Sequence, residues 1–198
     1  MTVENTDAFL RLFIAIPVPP EVSHKIGRVQ GRLQRASAPG TVRWTPTDQF
    51  HITLKFLGDV PMGHLGGLRQ ALAPICAGFS TLELSARGLG FFPNASRPRV
   101  IWAGASDRLK QLPALHRQID NALSWLAPTE RPGMFTSHIT LGRLKPGGHA
   151  GIPRLLEAAA VFYDSPFGDW QANEVRLVRS QLTAVRAEHT TIASFPLR

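Results

Sequence analysis

The segment Phe50–Leu57 has the sequence FHITLKFL, and the segment Phe135–Leu144 has the sequence FTSHITLGRL. Both contain the tetrapeptide His-Ile-Thr-Leu, which occupies His51–Leu54 and again His138–Leu141. If each position matched at about 1 in 20, a given tetrapeptide would recur in a chain of 198 residues with a probability of roughly one in a thousand. Chance is therefore a poor explanation, and we expect the two segments to share a structure and a role.

Both segments are rich in apolar and β-branched residues, which favours strands over helices. Side chains alternate between the two faces of a strand, so His51 and Thr53 point one way while the intervening Ile and the following Leu point the other. The same alternation places His138 and Thr140 on one face of the second strand. Each strand therefore offers one imidazole and one hydroxyl side by side.

The pairing of imidazole with hydroxyl suggests chemistry on a phosphoryl group. A histidine gains or loses a proton near neutral pH, and a threonine hydroxyl donates to an oxyanion. Two such pairs that face each other could hold a phosphoryl group between an acid and a base. The alternative interpretation is that each His-x-Thr lies on the solvent face of a half-buried strand. That explanation is reasonable for one copy and weak for two identical ones.

The order of elements around the tetrapeptides predicts an internal duplication. In each half, roughly residues 9–58 and 99–144, a strand and a helix precede the tetrapeptide strand. The spacing from the first strand to the histidine is nearly equal in the halves, at 39 and 38 residues (Leu12 to His51, Val100 to His138). Matched strand–helix–strand halves predict two pseudo-symmetric lobes that share a cleft.

The remaining periodic segments complete the prediction. Further strands are expected at Phe9–Ile16, Thr81–Leu89, Arg99–Ala105, Glu174–Thr183 and Thr190–Phe195. Helices are expected from Pro19 to about Arg35, from about Met62 to Ala77, from a cap at Asp107 to about Leu126, and from Ile152 to Phe162. Gly and Pro predict loops at Phe92–Pro98 and Lys145–Pro153. Long helices beside strands that can pair antiparallel favour the α+β class.

Composition limits the classes of function. With 43% hydrophobic residues, residues 1–198 can form one domain of two interleaved lobes. The net charge of +8 favours a polyanionic partner such as nucleic acid or a phosphorylated ligand. No apolar run reaches membrane-spanning length, the first sixteen residues do not match a secretory signal, and no obligate protein partner is evident. With its single cysteine, Cys76, the chain is expected to be cytoplasmic.

An ordered set of segments along nearly the whole chain resembles the 2H phosphoesterases. The resemblance is to the RNA 2′,3′-cyclic phosphodiesterases, historically called 2′-5′ RNA ligases. The segments that carry it are Leu10–Ile16, Val42–Trp44, His51–Gly58, Arg99–Gly104, Phe135–Arg143, Val175–Leu182 and Phe195–Leu197. Two positions depart from the family pattern, which often has Pro where this chain has Ser137 and Tyr where it has His189.

The resemblance implies a fold, a reaction and a set of roles. The fold would be α+β and bilobal, with two antiparallel sheets flanking a central water-filled cleft and helices on the outside. The reaction would be hydrolysis of RNA 2′,3′-cyclic phosphate ends to a 2′-phosphate, with no metal and no cofactor. His51 would match the proton donor and His138 the acceptor, and Thr53 and Thr140 would donate to the nonbridging oxygens. The residues alone leave the two histidine roles open, because the motifs are nearly equivalent.

Three further residues are candidates for substrate binding. Lys55 has the same strand parity as His51, so it could face the cleft and attract phosphate, although a solvated surface lysine is an equal alternative. Arg143 has the opposite parity to His138 and reaches the cleft only if a bulge or the strand end redirects it. Trp44 could stack on a terminal base. Most aromatic residues near such motifs belong to the core, and this is expected of Phe56 and Trp102.

Three other functions remain open. A metal site is disfavoured because neither tetrapeptide carries a Cys, Asp or Glu at ligand spacing. A module that binds RNA ends without turnover would use the same charge and hydroxyls, but it has no need of two histidines, since Arg or Lys holds phosphate without titrating. Ligation of 2′-5′ ends would use the same four residues, with a 5′-hydroxyl replacing water. Small cyclic-phosphate nucleotides also remain possible substrates.

Overall fold

The fold was derived from a computed structural model that describes residues 9–127, 135–146, 151–182 and 187–198. These residues form nine strands and four α-helices. The strands are β1 (Phe9–Pro17), β2 (Val42–Trp44), β3 (His51–Pro61), β4 (Leu82–Phe92), β5 (Val100–Asp107), β6 (His138–Leu144), β7 (Pro166–Ala172), β8 (Glu174–Leu182) and β9 (Ala187–Pro196). The helices are α1 (Pro20–Ala36), α2 (Leu65–Ala77), α3 (Gln111–Ala122) and α4 (Ile152–Ala160).

The strands pair antiparallel in the order β7-β4-β5-β6-β3-β1-β8-β9, with β2 added to β6. The sheet consists of two four-stranded groups, β7-β4-β5-β6 and β3-β1-β8-β9, that meet where β3 pairs with β6. That seam contains one register pair, Ile52 with Ile139, so the two expected sheets are joined into one continuous curled sheet. The predicted α+β architecture with two antiparallel halves is confirmed.

The tetrapeptides alternate as the sequence predicts. Ile52, Leu54, Ile139 and Leu141 are all buried, and they belong to the apolar core on the side of the sheet that the helices cover. The helices pack on this side, with α1 against β7 and α4, and α2 and α3 against each other. None of the helices in the described ranges is long and apolar enough to cross a membrane.

Each tetrapeptide strand contains a bulge at the leucine of the motif. Between β1 and β3, Ala15 pairs with Thr53 and Ile14 with Lys55, so the pairing skips Leu54. Between β5 and β6, the pairing passes from Thr140 to Gly142 and skips Leu141 in the same way. An extra residue reverses the alternation of the side chains that follow it.

The bulge in β3 corrects two expectations. The prediction that Lys55 could face the cleft is wrong, because Lys55 points to the helical side, where its ammonium forms an ion pair with Asp120 of α3. The Lys55 side chain is only 6% exposed. The expectation that Phe56 belongs to the core is also wrong, since Phe56 is 63% exposed on the opposite face. Sequence parity fails here because it assumes an unbroken strand.

Two strands were not predicted, and some boundaries differ. β2 is only three residues long, and β7 contains Gly168 at φ 126°, so neither has a clear alternating pattern. The Asp107 carboxylate accepts the Leu112 N–H at 2.7 Å in the first turn of α3. The prediction that Asp107 is the cap residue is nevertheless wrong, because Asp107 ends β5 and Lys110 occupies the N-cap position of a helix that ends at Ala122. The expected loop at Lys145–Pro153 and the end of the strand at Thr183 lie partly outside the described residues.

The buried ion pair gives the first testable prediction. Asp120→Ala leaves the Lys55 ammonium buried without this carboxylate, so the free energy of unfolding should fall by about 2–3 kcal/mol in urea titrations. Asp164→Ala is the matched control, because the Arg87–Asp164 pair is exposed, and it should change stability little. Equal losses in the two variants would show that the Lys55 pair contributes no more than a surface contact.

Candidate active site

The seam between β3 and β6 gathers the four motif side chains on one face of the sheet. Because Ile52 pairs antiparallel with Ile139, His51 lies across from Thr140 and Thr53 lies across from His138. The two isoleucines point into the core, so the four polar side chains point to the opposite side. The sequence analysis expected the two His-Thr pairs to face each other. In the structure they do so across the seam, with the two imidazoles on one diagonal and the two hydroxyls on the other.

These side chains border a cleft cavity of about 450 Å³ on the side of the sheet opposite the helices. His51, Thr53 and Thr140 line this cavity, and so do Trp44 and Arg143. His138 is not among the residues that line the cavity, and its ring packs edge-on against Phe92 at a centroid distance of 4.9 Å. Of the seven predicted site residues, the structure brings all but Lys55 to this region.

Both histidine rings are held in the same way. The Nδ1–H of His51 donates to the carbonyl of Gln49 at 2.7 Å, and the Nδ1–H of His138 donates to the carbonyl of Thr136 at 2.8 Å. In each case the acceptor lies two residues earlier in the chain. Because a carbonyl can only accept, Nδ1 carries the proton, and Nε2 is left with its lone pair when the ring is neutral. Each ring therefore presents Nε2 for proton transfer.

The surroundings of both rings favour the neutral form. Burial is the main cause that lowers the pKa of His51 to about 4, and the positive charges of His189, His138 and Arg143 lower it further, against the bond to Gln49. Burial also lowers the pKa of His138, with a contribution from Arg143, against the bond to Thr136. At neutral pH, both imidazoles of the ligand-free protein are bases.

The second bulge explains how Arg143 reaches the site. Leu141 is skipped in the pairing of β6 with β5, so Arg143 turns to the cleft side. The sequence analysis expected Arg143 to reach the cleft only if a bulge or the strand end redirected it. Arg143 lies directly opposite Arg43 of β2, which also lines the cleft. Sequence reasoning did not identify Arg43, because β2 is too short to be recognised from periodicity.

One aromatic expectation is revised at the site. Trp102 is half-buried on the cleft face of β5, with its ring centroid 6.4 Å from that of His138, so the expectation that it belongs to the core is wrong. Its ring lies over Gly90, where a Cβ atom would come within 2.1 Å of the indole. Trp44 lines the cleft as expected. Together with Phe92, Trp102 forms an aromatic wall beside His138.

The two departures from the family pattern have clear positions. The Ser137 hydroxyl donates to the carbonyl of Ala105 at 2.5 Å, which fixes the entry of β6 in place of a proline ring. His189 lies beside His51, with ring centroids 5.4 Å apart, and both rings pack against Phe13. Burial lowers the pKa of His189, and Asp48 opposes this effect. His189 thus contacts a motif histidine.

Within the ranges that the structure describes, no group of three or more His, Cys, Asp or Glu side chains converges on one point. The charged groups that act on His51 are His189, His138 and Arg143.

Comparisons with known proteins identify the family. A family model described as LigT like phosphoesterase matches residues 16–102. An RNA 2′,3′-cyclic phosphodiesterase from Methanothermobacter thermautotrophicus is 30% identical over 189 residues, which cover 95% of this chain and 99% of the relative. A protein of the same name from Thermus thermophilus is 32% identical over 200 residues, with coverages of 96% and 91%.

Solved structures agree with this assignment. The crystal structure of TT0787 from Thermus thermophilus has a TM-score of 0.76 at 27% identity, covering 96% of this chain and 98% of that one. E. coli LigT complexed with 3′-AMP shares the fold, with a TM-score of 0.73 at 22% identity and the same coverages. The fold and its paired motifs define a phosphoesterase of the two-histidine class. The chain belongs to the LigT-like phosphoesterases of the 2H superfamily.

The low pKa of His51 has a consequence for stability. Its ordinary pKa is 6.5 and its pKa in the fold is about 4, so the unfolded chain binds the proton first as pH falls. The contribution of His51 to stability is complete above pH 6.5 and is lost as pH falls towards 4. We expect His51→Gln to remove on the order of 2–3 kcal/mol of this pH dependence, measured by urea unfolding at several pH values.

Gln34→Ala provides the control for this titration, because it changes an exposed side chain of α1 that carries no titratable group. That variant should keep the wild-type dependence of stability on pH. Identical pH profiles for the wild type and His51→Gln would contradict the burial argument.

Proposed function

We propose that this protein hydrolyses RNA 2′,3′-cyclic phosphate ends to 2′-phosphates without a metal ion, using His51 and His138 as acid and base. The observation that carries the proposal is the matched pair of imidazoles, each anchored through Nδ1 and each offering Nε2 beside a threonine hydroxyl. The curated relatives support the substrate, because they are named RNA 2′,3′-cyclic phosphodiesterases. A net charge of +8 favours a polyanionic substrate.

The chemistry requires two groups in opposite protonation states. Water attacks the phosphorus and loses a proton, the bond from phosphorus to the 3′ oxygen breaks, and that oxygen receives a proton. The product is a 3′-hydroxyl and a 2′-phosphate. Nucleophile and leaving group lie on opposite sides of the phosphorus in an in-line displacement, so the base and the acid must do so as well. Two imidazoles related by pseudo-symmetry across one seam suit this requirement.

Binding of the substrate gives the two histidines different protonation states. Both histidines are neutral in the ligand-free protein at neutral pH, but a bound phosphate anion favours the charged form of a nearby imidazole. One ring is then protonated in the complex and the other stays a base. Following the family resemblance, we assign the donor role to His51 and the acceptor role to His138. Because a general acid must carry its proton at the operating pH, the bound phosphate must raise the pKa of His51 for this role.

Thr53 and Thr140 are proposed to bind the nonbridging oxygens. Each hydroxyl lies across the seam from the histidine of the other strand, so a phosphorus between the imidazoles would have a hydroxyl from each strand beside it. Hydrogen bonds that strengthen as charge develops on these oxygens lower the barrier. The cleft is open to water, which reduces the contribution of each bond below that of a sealed oxyanion hole.

The first test of the function uses an oligoribonucleotide that ends in 2′,3′-cyclic phosphate, incubated in excess chelator. The wild type should produce a 2′-phosphate, and His51→Ala and His138→Ala should each lower kcat by about 10²- to 10⁴-fold, because each variant lacks one proton-transfer group. The product is identified by its resistance to a 3′-specific phosphatase and by chromatography.

His24→Ala is the matched control for this assay and should retain wild-type activity, since it removes an exposed histidine on α1. Full activity in either motif variant would refute the acid and base roles. Loss of wild-type activity in chelator would refute metal independence. Joining to an added 5′-hydroxyl strand, in place of hydrolysis, would assign ligation to the site.

The threonines can be tested by an isosteric change. Thr53→Val and Thr140→Val should each reduce kcat by about tenfold to a hundredfold while KM changes little, because the lost bond strengthens only in the transition state. Thr53→Ser and Thr140→Ser keep the hydroxyl and should recover most of the rate. If the valine and serine variants were equally slow, packing of the methyl group would explain the loss.

A further inference from the structure

His116 of α3 stacks on Phe135, which packs against the core just before β6 begins. We propose that this stack positions His138, because it holds the carbonyl group of Thr136 that orients the His138 ring. His116 does not line the cleft cavity, so it acts as a positioning residue and not as a catalytic one. The inference rests on the proposed function and deepens it, since it concerns how the base of the same site is held.

The contact between the two stacked rings is close and nearly parallel. Their centroids are 4.1 Å apart and their planes differ by 17°, which is the shortest ring separation found in the described ranges. The residue after Phe135 is Thr136, whose carbonyl accepts the Nδ1–H of His138 at 2.8 Å. Because Phe135 and Thr136 are joined by one planar peptide bond, the position of the stacked ring restricts that of the carbonyl.

The backbone that precedes the two motif histidines differs in structure. Gln49, which orients His51, ends a 3-10 turn at Thr47–Gln49, and a backbone hydrogen bond of 3.0 Å closes this turn. Thr136 belongs to no helix or strand. The carbonyl beside His51 is therefore held by local backbone structure, whereas the carbonyl beside His138 depends on contacts with other parts of the fold.

Two contacts flank Thr136. On its far side, the hydroxyl of Ser137 donates to the carbonyl of Ala105, and the carbonyl of Ser137 accepts the Ala105 N–H at 3.2 Å. On its near side, Phe135 is held by the ring of His116. A segment that is fixed at one end can still rotate about φ and ψ. The orientation of the Thr136 carbonyl therefore requires the stack as well as the serine.

Stacking accounts for the position of the His116 ring. Among the described residues, its buried Nδ1 atom has no hydrogen-bond partner, so no polar contact through that atom fixes the ring. Burial lowers the pKa of His116 most, against the charge of Asp120, and the cations of Lys55 and Arg117 lower it further. The ring is therefore neutral at neutral pH, and it offers its flat face to Phe135.

The stack matters for the proton on His138. The hydrogen bond that one nitrogen of an imidazole makes determines which nitrogen carries the proton. In the wild type, the bond to Thr136 keeps this proton on Nδ1, so Nε2 can accept another. Without the stack, the carbonyl of Thr136 would turn away for part of the time, and Nε2 would carry the proton in part of the molecules. Those molecules have no base at Nε2.

The test observes both motif histidines of the ligand-free protein by nitrogen NMR at neutral to mildly alkaline pH, where both rings are neutral. Both should show the Nδ1–H form in the wild type. His116→Ala should convert a measurable fraction of His138 to the Nε2–H form and leave His51 unchanged, because only His138 depends on the stack. Phe135→Leu removes the stack from the other side and should have the same effect.

Kinetic measurements complete the test. His116→Ala and Phe135→Leu should each lower kcat by about tenfold with little change in KM, because they misplace the base and leave the phosphate-binding groups in place. His116→Phe keeps a flat ring and removes the unpartnered nitrogen, so it should fold and should retain both the wild-type kcat and the Nδ1–H form of His138. Gln118→Ala is the matched control, because it changes an exposed side chain of the same helix, and it should match the wild type in both measurements.

The inference would be overturned if His138 stayed in the Nδ1–H form in both His116→Ala and Phe135→Leu. An equal change in His51 would also overturn it, since such a change would show a general loosening of the sheet. So would a loss in His116→Phe as large as that in His116→Ala. Failure of the proposed function looks different, because the wild type would then hydrolyse no cyclic phosphate end, while the NMR comparison would still decide the inference.

Discussion

The antiparallel pairing of Ile52 with Ile139 is the constraint from which the geometry of the cleft follows. Both side chains are fully buried, so the register of this pair is fixed by the core. A shift by one residue would turn every motif side chain to the other face. The burial of two isoleucines thus determines where two imidazoles and two hydroxyls lie, and the chemical site depends on the hydrophobic core beneath it.

The two bulges determine the orientation of the side chains that follow each tetrapeptide. Each bulge falls on the motif leucine and reverses the side chains that follow, which sends Lys55 to the helices and Arg143 to the cleft. The two tetrapeptide strands therefore share a bulge and differ in the residues that the bulge presents. At the equivalent cleft positions, one half offers Phe56 and the other offers Arg143, so one wall is aromatic and the other is cationic.

Sequence reasoning located the elements and the four motif residues because both depend on local periodicity and on repetition. It failed where a long-range contact decides the outcome. The orientation of Lys55 depends on a bulge and on Asp120, which is 65 residues away. Arg43 lies in a strand of three residues that exists only because β6 pairs with it. The place of His189 beside His51 depends on the fold of β9 against β8, which no pattern near His189 encodes.

A crystal structure with a nucleoside 2′-monophosphate bound would test the central claim most directly. The distances to measure join the phosphate oxygens to Nε2 of His51 and of His138. We expect the phosphate to lie between the two rings, with both Nε2 atoms and both threonine hydroxyls within about 3 Å of its oxygens. A phosphate that contacts the residues of only one strand, or that avoids the seam between β3 and β6, would contradict the account.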